Sequence, residues 1–435
     1  MDSRSLIVNG AKKKYCKCCK ARLFYSVCGT ISLFGLLSLI FLPYGIASQL
    51  ALVEGTESYE AYMNVPMKTN LDVYLFSITN HQEFKNDNYK PKFKQIGPYS
   101  MLLSRKRTLL ENTQYSLTTQ VQDTIKFNPK RSVLDNNSNV TTVNIPEILA
   151  YISDPDNVKI LDVINVQDFL LNKDKGLLKD IMQLQKPIKV NTGHSDIDEI
   201  YKIETYDGKE KSSFDDGCNE IKGEYEMVGF APSIPYTPSY FNPALNRTLH
   251  FKYSGYRFAR NRYDIDPDSF NMKLEKNSCF KQKLKKYNGM MFMLPLEGVS
   301  SNFIGVSFPH FLHAGDELKK IFASEKSLKP SYKLHQGYIE VEKVTGLPVS
   351  VHLRLQINIE FRSNIYPIIW QEASVELEGK FKYKLYLVHF FCLYLPAIFA
   401  LIGLSCLIML LKPEKCWNVT SSSVLQSEEV SQNRV

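Results

Sequence analysis

The chain has 435 residues, 44% of them hydrophobic and 23% charged, with a formal net charge of +8. That composition is ordinary for a folded protein and excludes a wholly disordered or low-complexity chain. The basic surplus is concentrated near one end, so it gives no reason to read the chain as a nucleic-acid binder.

In chain order, Arg4, Lys12, Lys13, Lys14, Lys17, Lys20 and Arg22 stand against Asp2 alone, giving residues 1–22 a net charge of +6. An uncharged run follows from Leu23 to Val53. Its core, "LFYSVCGTISLFGLLSLIFLPYGI", is long enough to cross a bilayer and longer than the apolar stretch of a signal peptide, so it predicts an uncleaved transmembrane helix over 23–47. A second uncharged run, Leu385 to Leu411, predicts another over 386–411. The positive-inside rule places residues 1–22 in the cytosol, and the second span returns residues 412–435 there. Residues 48–385 then form an extracellular or luminal ectodomain. Because the C-terminal tail nets zero, only +2 of the total charge belongs to that ectodomain.

Seven of the nine cysteines lie in the tails or spans; Cys218 and Cys279 are the pair left between them. An even pair in an oxidising compartment reads as one disulfide, which on the chain-entropy account stabilises the fold by about 4 kcal/mol. Cys16, Cys18, Cys19 and Cys416 flank the spans, where S-palmitoylation is expected. The rival for "CKCC" is a zinc site, but no second ligand pair completes one. Glycosylation sequons fall at Asn136, Asn139 and Asn246; a fourth, at Asn418, lies in the predicted cytosolic tail.

Between the spans, residues 49–130 and 187–385 carry β-type patterns. "LHFKYSGYRFARNRY" (249–263) reads as paired strands with a bulge at Gly255. "GYIEVEKVTGLPVSVHLRLQINIEF" (337–361) reads as two strands joined near Thr345-Gly346. Within the second, Val349 to Phe361 alternates apolar and polar residues throughout, which predicts one oily and one wet face. "NIPEILAYI" (144–152) and "VQDFLLNKDKGLLKDIMQL" (166–184) show helical spacing, so a helical insertion is expected over about 142–186. The fold class predicted is α+β: a large antiparallel sheet system with one transmembrane helix at each end. A membrane β-barrel is excluded, since it would not also carry two helical anchors.

An ordered set of motifs resembles the class B scavenger receptors, the family that includes the fatty-acid translocase, the high-density-lipoprotein receptor, the lysosomal integral membrane protein and insect sensory neuron membrane proteins. The matching stretches are "KQIGPYSM" (94–101), "VNTGHSDIDEIYKIETYDGKEKSSFDDGCNEIKG" (190–223), "VSFPHFLHAGDEL" (306–318), "IEVEKVTGLPVSVHLRLQINI" (339–359) and "YPIIWQE" (366–372). Departures are "GEYEMVGFAPSIP" (223–235) where relatives often have a "GTDG…FPP" pattern, and a shorter helical segment. The resemblance implies an antiparallel β-barrel ectodomain with a helical apex and an internal hydrophobic tunnel. It also implies lipids, fatty acids, sterols or lipoprotein particles as partners.

Lys173, Lys175 and Lys179 align with the family's basic apex, where they would bind anionic ligands; the plainer reading is a solvated helix face. Lys281, Lys283, Lys285 and Lys286 read as a charged surface loop. His310 and His313 in "PHFLH" are spaced for a metal on a helix, yet no third ligand completes a site, and no metal or cofactor is expected. No G-x-S-x-G, H-E-x-x-H, Walker or G-x-G-x-x-G signature is present, so an enzyme is not expected. The function predicted is a plasma-membrane scavenger receptor that binds lipid at the apex and passes it to the membrane, with self-association as a homo-oligomer open. The alternative is a lysosomal or surface sorting or adhesion receptor for protein ligands. The tail "KPEKCWNVTSSSVLQSEEVSQNRV" lacks an acidic dileucine signal, which favours the cell surface.

Overall fold

A computed structural model describes residues 3–65, 67–84, 90–135, 137–143, 161–172, 176–178, 185–212, 220–224, 227–232, 237–280, 287–292, 303–361, 364–377 and 379–411. The chain divides into two compact units, Pro43–Phe390, and Met1–Leu42 together with Phe391–Val435. In the second of these, α1 (Ser3–Ser48) and the helix Leu395–Leu411 lie side by side. They belong to two stretches long and apolar enough to cross a membrane, Leu23–Ser48 and Gly379–Met409. Small residues set their approach. A Cβ on Gly35 would stand 2.9 Å from both Ala400 N and Pro396 O, and Ser32 Oγ donates to Ala400 O at 2.9 Å. Without a hydrophobic drive between helices in lipid, such close backbone packing is what holds a pair together.

The Pro43–Phe390 unit is built on strands. In chain order they are β1 (Met67–Ile78), β2 (Phe93–Asn112), β3 (Ser116–Phe127), β4 (Asn139–Val143) and β5 (Leu161–Asn165). Next come β6 (Ile188–Asn191), β7 (Ile203–Tyr206), β8 (Ser239–Asn242), β9 (Arg247–Arg257) and β10 (Arg260–Ile265). The last are β11 (Met290–Phe292), β12 (Ile304–Ser307), β13 (Tyr338–Glu342), β14 (Pro348–Phe361) and β15 (Asn364–Leu377). One 13-stranded sheet runs in the order β7-β6-β3-β2-β1-β15-β14-β13-β10-β9-β8, with β12 also paired to β14 and β11 to β12. Every strand pair in it is antiparallel. The two end strands nearly meet: Glu224 bridges Lys202, just before β7, and Tyr240 in β8, so the sheet is an almost closed barrel.

Local chemistry explains the turns. Gly346 has φ +72 between β13 and β14, and a Cβ there would run into the carbonyl oxygen of Phe230. Thr345 N and Val344 N both donate to the Glu342 carboxylate, which closes the turn. Gly255 lies where the β9–β10 register slips, opposite Arg262, as the sequence predicts.

One expectation changes. The expected wet face of 349–361 is not wet: Arg354 is 8% exposed, and Gln356 and Asn358 are fully buried. The polar side is roofed by the 3₁₀ and short helical segments between residues 309 and 335, and its amides bond to protein instead of water. Of the helical insertion expected over about 142–186, Val166–Leu171 is a helix, residues 144–152 lie outside the described residues, and Leu161–Asn165 is a strand, β5, paired with β4. Ser77 Oγ and Thr142 Oγ1 bonds fasten β4 to β1, and that tertiary tie favours strand over helix at its edge.

At the barrel seam Glu224 is 3% exposed, its Oε2 has no hydrogen-bond partner among the described residues, and burial pushes its carboxyl up to about 8. An acid whose folded pKa lies above its unfolded value keeps its proton on folding. The penalty is therefore absent below about 4.5, grows as pH rises and is complete above about 8. Glu224→Gln removes it, and should stabilise the protein by on the order of 3 kcal/mol at pH 7. Denaturant titrations of both proteins at pH 7 and pH 5 check this; an equal gain at both values would refute the ionisation account.

Candidate functional site

The long central strands place side chains in rows. Residues directly opposite across a strand pair share a face. One row reads Leu353, Ala373, Leu71, Met101, Phe127 across β14, β15, β1, β2 and β3. The next reads Val351, Val375, Thr69, Leu103, Ile125, and a third, nearer the other end, Ile357, Ile369, Leu75, Ile96. The sequence alternation therefore builds one apolar face five strands wide. Parts of it are packed solid: Val73 and Leu75 are fully buried. Others are not. Leu353, Ile357, Ala373, Val375, Ile96, Ile125 and Phe127 are only half-buried, although they border the hydrophobic clusters. They keep apolar surface that the protein's own side chains do not cover, and hydrocarbon laid on it would gain about 25 cal/mol per Å². In the row between, Gln371 stands opposite Leu355 and Val73, with its Oε1 buried and unpartnered among the described residues.

The opposite face carries a buried polar network. Arg354 donates through Nε (3.1 Å) and Nη2 (2.8 Å) to Glu372 Oε1, and His352 Nδ1 is 2.6 Å from the same oxygen. Burial works against the Glu372 charge, but His352 and Arg354 outweigh it and hold the carboxyl below its usual range. Asp72 accepts from Ser100 Oγ and pairs with Arg131 at 2.8 Å. Gln95 Oε1 accepts from Trp370 Nε1 (2.7 Å) and lies 2.6 Å from His310 Nε2. His310 Nδ1 meets Leu328 O at 2.9 Å, and the His310 and His335 rings stack at 4.0 Å. Tyr74 stacks on Trp370, also at 4.0 Å.

His310 and His313 do not converge on a metal position. His310 turns to Gln95 and Leu328, His313 Nε2 to Gln336 Oε1 at 2.7 Å, and no metal-ligand cluster occurs among the described residues. Positive φ values at His310, Phe311 and His313 break the helical spacing that would have aligned them. Lys173, Lys175, Lys179, Cys218, Cys416 and Asn136 lie outside the described residues, as do Lys281, Lys283, Lys285 and Lys286. Cys16, Cys18 and Cys19 fall on α1 and Cys279 on a 3₁₀ turn, with their side chains outside the description. Asn139 is exposed at the start of β4, and Asn246 is half-buried in the turn before β9. Sequence reasoning missed Gln95, His335, Gln356, Asn358 and Gln371. For the four amides the signal available was an uncharged side chain at mid-strand, where a solvent face favours Lys or Glu; His335, on the short helix Tyr332–His335, had none.

Comparison with known proteins converges on one family. The model described as the CD36 family matches residues 23–184 and 158–412. Sensory neuron membrane protein 2 of Ostrinia furnacalis is 24% identical over 432 residues, covering 78% of this chain and 81% of that protein. Sensory neuron membrane protein 1 of Helicoverpa assulta is 24% identical over 444 residues, covering 82% and 83%. The same-named protein of Apis mellifera is 23% identical over 439 residues, with the same coverage.

Burial holds His310 at about 4, against an ordinary 6.5, and burial, His310 and Arg354 together hold His335 at about 3. Both bind protons more readily unfolded than folded, so stability is intact above about pH 6.5 and is lost as pH falls toward the folded values. Between pH 7 and pH 5 the loss from His310 alone is about 2 kcal/mol. Thermal midpoints measured at both values should fall in acid for the native protein and fall less for His310→Gln with His335→Gln.

Proposed function

Because the chain belongs to the CD36 family, we propose that it is a two-pass membrane receptor whose barrel takes up lipid and conducts it along the apolar face to the bilayer. The observation that carries this reading is the half-buried row Leu353, Ile357, Ala373, Val375, Ile125 and Phe127, apolar surface inside a sheet system and left uncovered by protein. Each methylene exposed to water costs about 0.8 kcal/mol, so a long acyl chain crossing water unaided meets a barrier on the order of 10 kcal/mol. A continuous apolar track lowers that barrier with no chemical step, which agrees with the lack of an enzyme signature in the sequence.

The same reading puts both termini in the cytosol, the protein in the plasma membrane and sugars on Asn136, Asn139 and Asn246. Lipid at Cys16, Cys18, Cys19 and Cys416 would hold the tails to the inner leaflet, and a Cys218–Cys279 disulfide would brace the exported side. Lys173, Lys175 and Lys179 would meet anionic ligands first. Lipids, fatty acids, sterols and lipoprotein particles are the partners this assigns; a homo-oligomer is compatible with it.

Lipid uptake by cells expressing the full chain tests the track. Ala373→Trp should reduce uptake of a labelled fatty acid to the empty-vector level with surface abundance unchanged, while Ala373→Ser retains it. Mass spectrometry of the same proteins, purified without lipid-like detergent, should find bound lipid in the Ser form and little in the Trp form. Equal lipid in both would remove the apolar face from the route. Separately, Lys173→Glu with Lys175→Glu should weaken binding to anionic vesicles and leave the melting temperature unchanged; unaltered binding would return these lysines to the solvated surface.

A further inference from the structure

The β9–β10 hairpin ends in Tyr256, Arg257, Phe258 and Ala259, and this tip is unusual in what it exposes. Phe258 is 64% exposed and Tyr256 51%, whereas Ala259 between the strands is fully buried with φ +62. The tip is held stiffly: Ala259 N donates to the Tyr256 hydroxyl at 3.1 Å, and Lys343 N donates to Ala259 O at 3.4 Å. A rigid turn that presents a phenyl ring outward leaves apolar area in water with nothing in the fold to require it.

Its neighbour supplies the context. The Phe258 ring meets the Tyr386 ring edge-on at 5.8 Å. Tyr386 belongs to the helix Gly379–His389, the start of the membrane-crossing stretch Gly379–Met409, and sits just where charge ends: Lys380, Lys382 and Lys384 precede it, and no Asp, Glu, Lys or Arg follows before Lys412. Tyr383, one turn earlier, is 63% exposed. Phe258 is thus level with the boundary between the charged and the uncharged parts of a spanning helix. That boundary is where the headgroup layer lies, and where Tyr, Trp, Lys and Arg concentrate in membrane proteins.

Charge completes the match. Glu57 pairs with Lys384 at 3.1 Å, and Glu340 with Arg260 at 2.6 Å. Arg257 is only 3.8 Å from Glu340 but 66% exposed, Lys380 is exposed with its Nζ 5.7 Å from the centre of the Phe381 ring, and Lys382 is half-buried one turn before Tyr386. The side that carries Phe258 is therefore cationic as well as aromatic, complementary to lipid phosphate and unlike a face built to stay in water.

We propose that the β9–β10 tip is a third attachment to the bilayer: Phe258 and Tyr256 lie in the headgroup layer of the leaflet that the Gly379–Met409 helix enters, and Arg257 and Lys382 bind phospholipid phosphates there. This rests on that helix lying in a membrane and not on lipid conduction.

The test is photocrosslinking of the full chain reconstituted in phosphatidylcholine–phosphatidylglycerol bilayers, with p-benzoylphenylalanine replacing Phe258, Leu401 or Val133 in turn. Leu401 (64% exposed) reports the span and Val133 (76% exposed) a surface loop. Phospholipid adducts at 258 and 401 with none at 133 are expected, together with loss of most of the 258 adduct in Arg257→Glu with Lys382→Glu. An adduct at 401 without one at 258 overturns the attachment. Adducts at neither overturn the membrane reading with it, and equal adducts at 133 and 258 mark non-specific capture and also overturn it. A peptide adduct at 258 would make the tip a protein contact instead, and an unchanged yield in the double variant would remove the cations from the site.

Discussion

The pairing of β1 with β15 is the constraint on which the rest of the architecture depends. It joins Met67 to Leu377 and continues without a slip to Leu75 and Ile369, bringing together segments about 300 residues apart in the chain. Closing a loop of that length costs about 5 kcal/mol in chain entropy. The ladder must repay it, and the apolar rows that cross β1 and β15 are the means. Once β1 and β15 are zipped, the chain enters and leaves the sheet on neighbouring strands, and the helix Gly379–His389 begins two residues after β15.

The two faces of these strands serve different ends. On the polar face the buried charges have protein partners: Glu372 holds Arg354 and His352, Asp72 holds Arg131, and Gln95 joins Trp370 to His310. Such networks are costly when half-satisfied and stiff when complete. The apolar face is the reverse, with half-buried side chains and an unpartnered Gln371 oxygen. One face fixes the strands in register, and the other is thereby free to leave surface uncovered. Looseness on one side of a sheet is tolerable only when the other side is over-determined.

Much of this was legible in the sequence. Charge-free runs mark the spanning stretches because backbone and side chains alike must suit hydrocarbon. Thr345-Gly346 marks a turn because only glycine takes that φ beside the Phe230 carbonyl, and Gly255 marks the register slip. The strict alternation of 349–361 gave the strand and its apolar side. It could not reveal that Gln356 and Asn358 are buried, since alternation reports period and not what covers each face. Nor does spacing reveal the strand over 161–165, which is set by its pairing with β4, itself tied to β1 through Thr141 and Thr142. The histidine pair was misleading for a similar reason: three-residue spacing implies a shared side only if the backbone stays helical, and at His310 it does not.

The barrel is not equally strong around its girth. Most neighbours share ladders of four or more residue pairs, but among the described residues the end strands are joined by single bridges from Glu224 to Lys202 and to Tyr240, a bond from Ile203 N to Gly223 O and the contact of the Tyr206 and Phe241 rings. A clasp of that kind yields before any ladder does. The circumference can therefore grow by parting at a single place, while the fourteen-residue strands opposite keep their register. Heat or denaturant would therefore act first at Glu224, and the long strands would be the last to part.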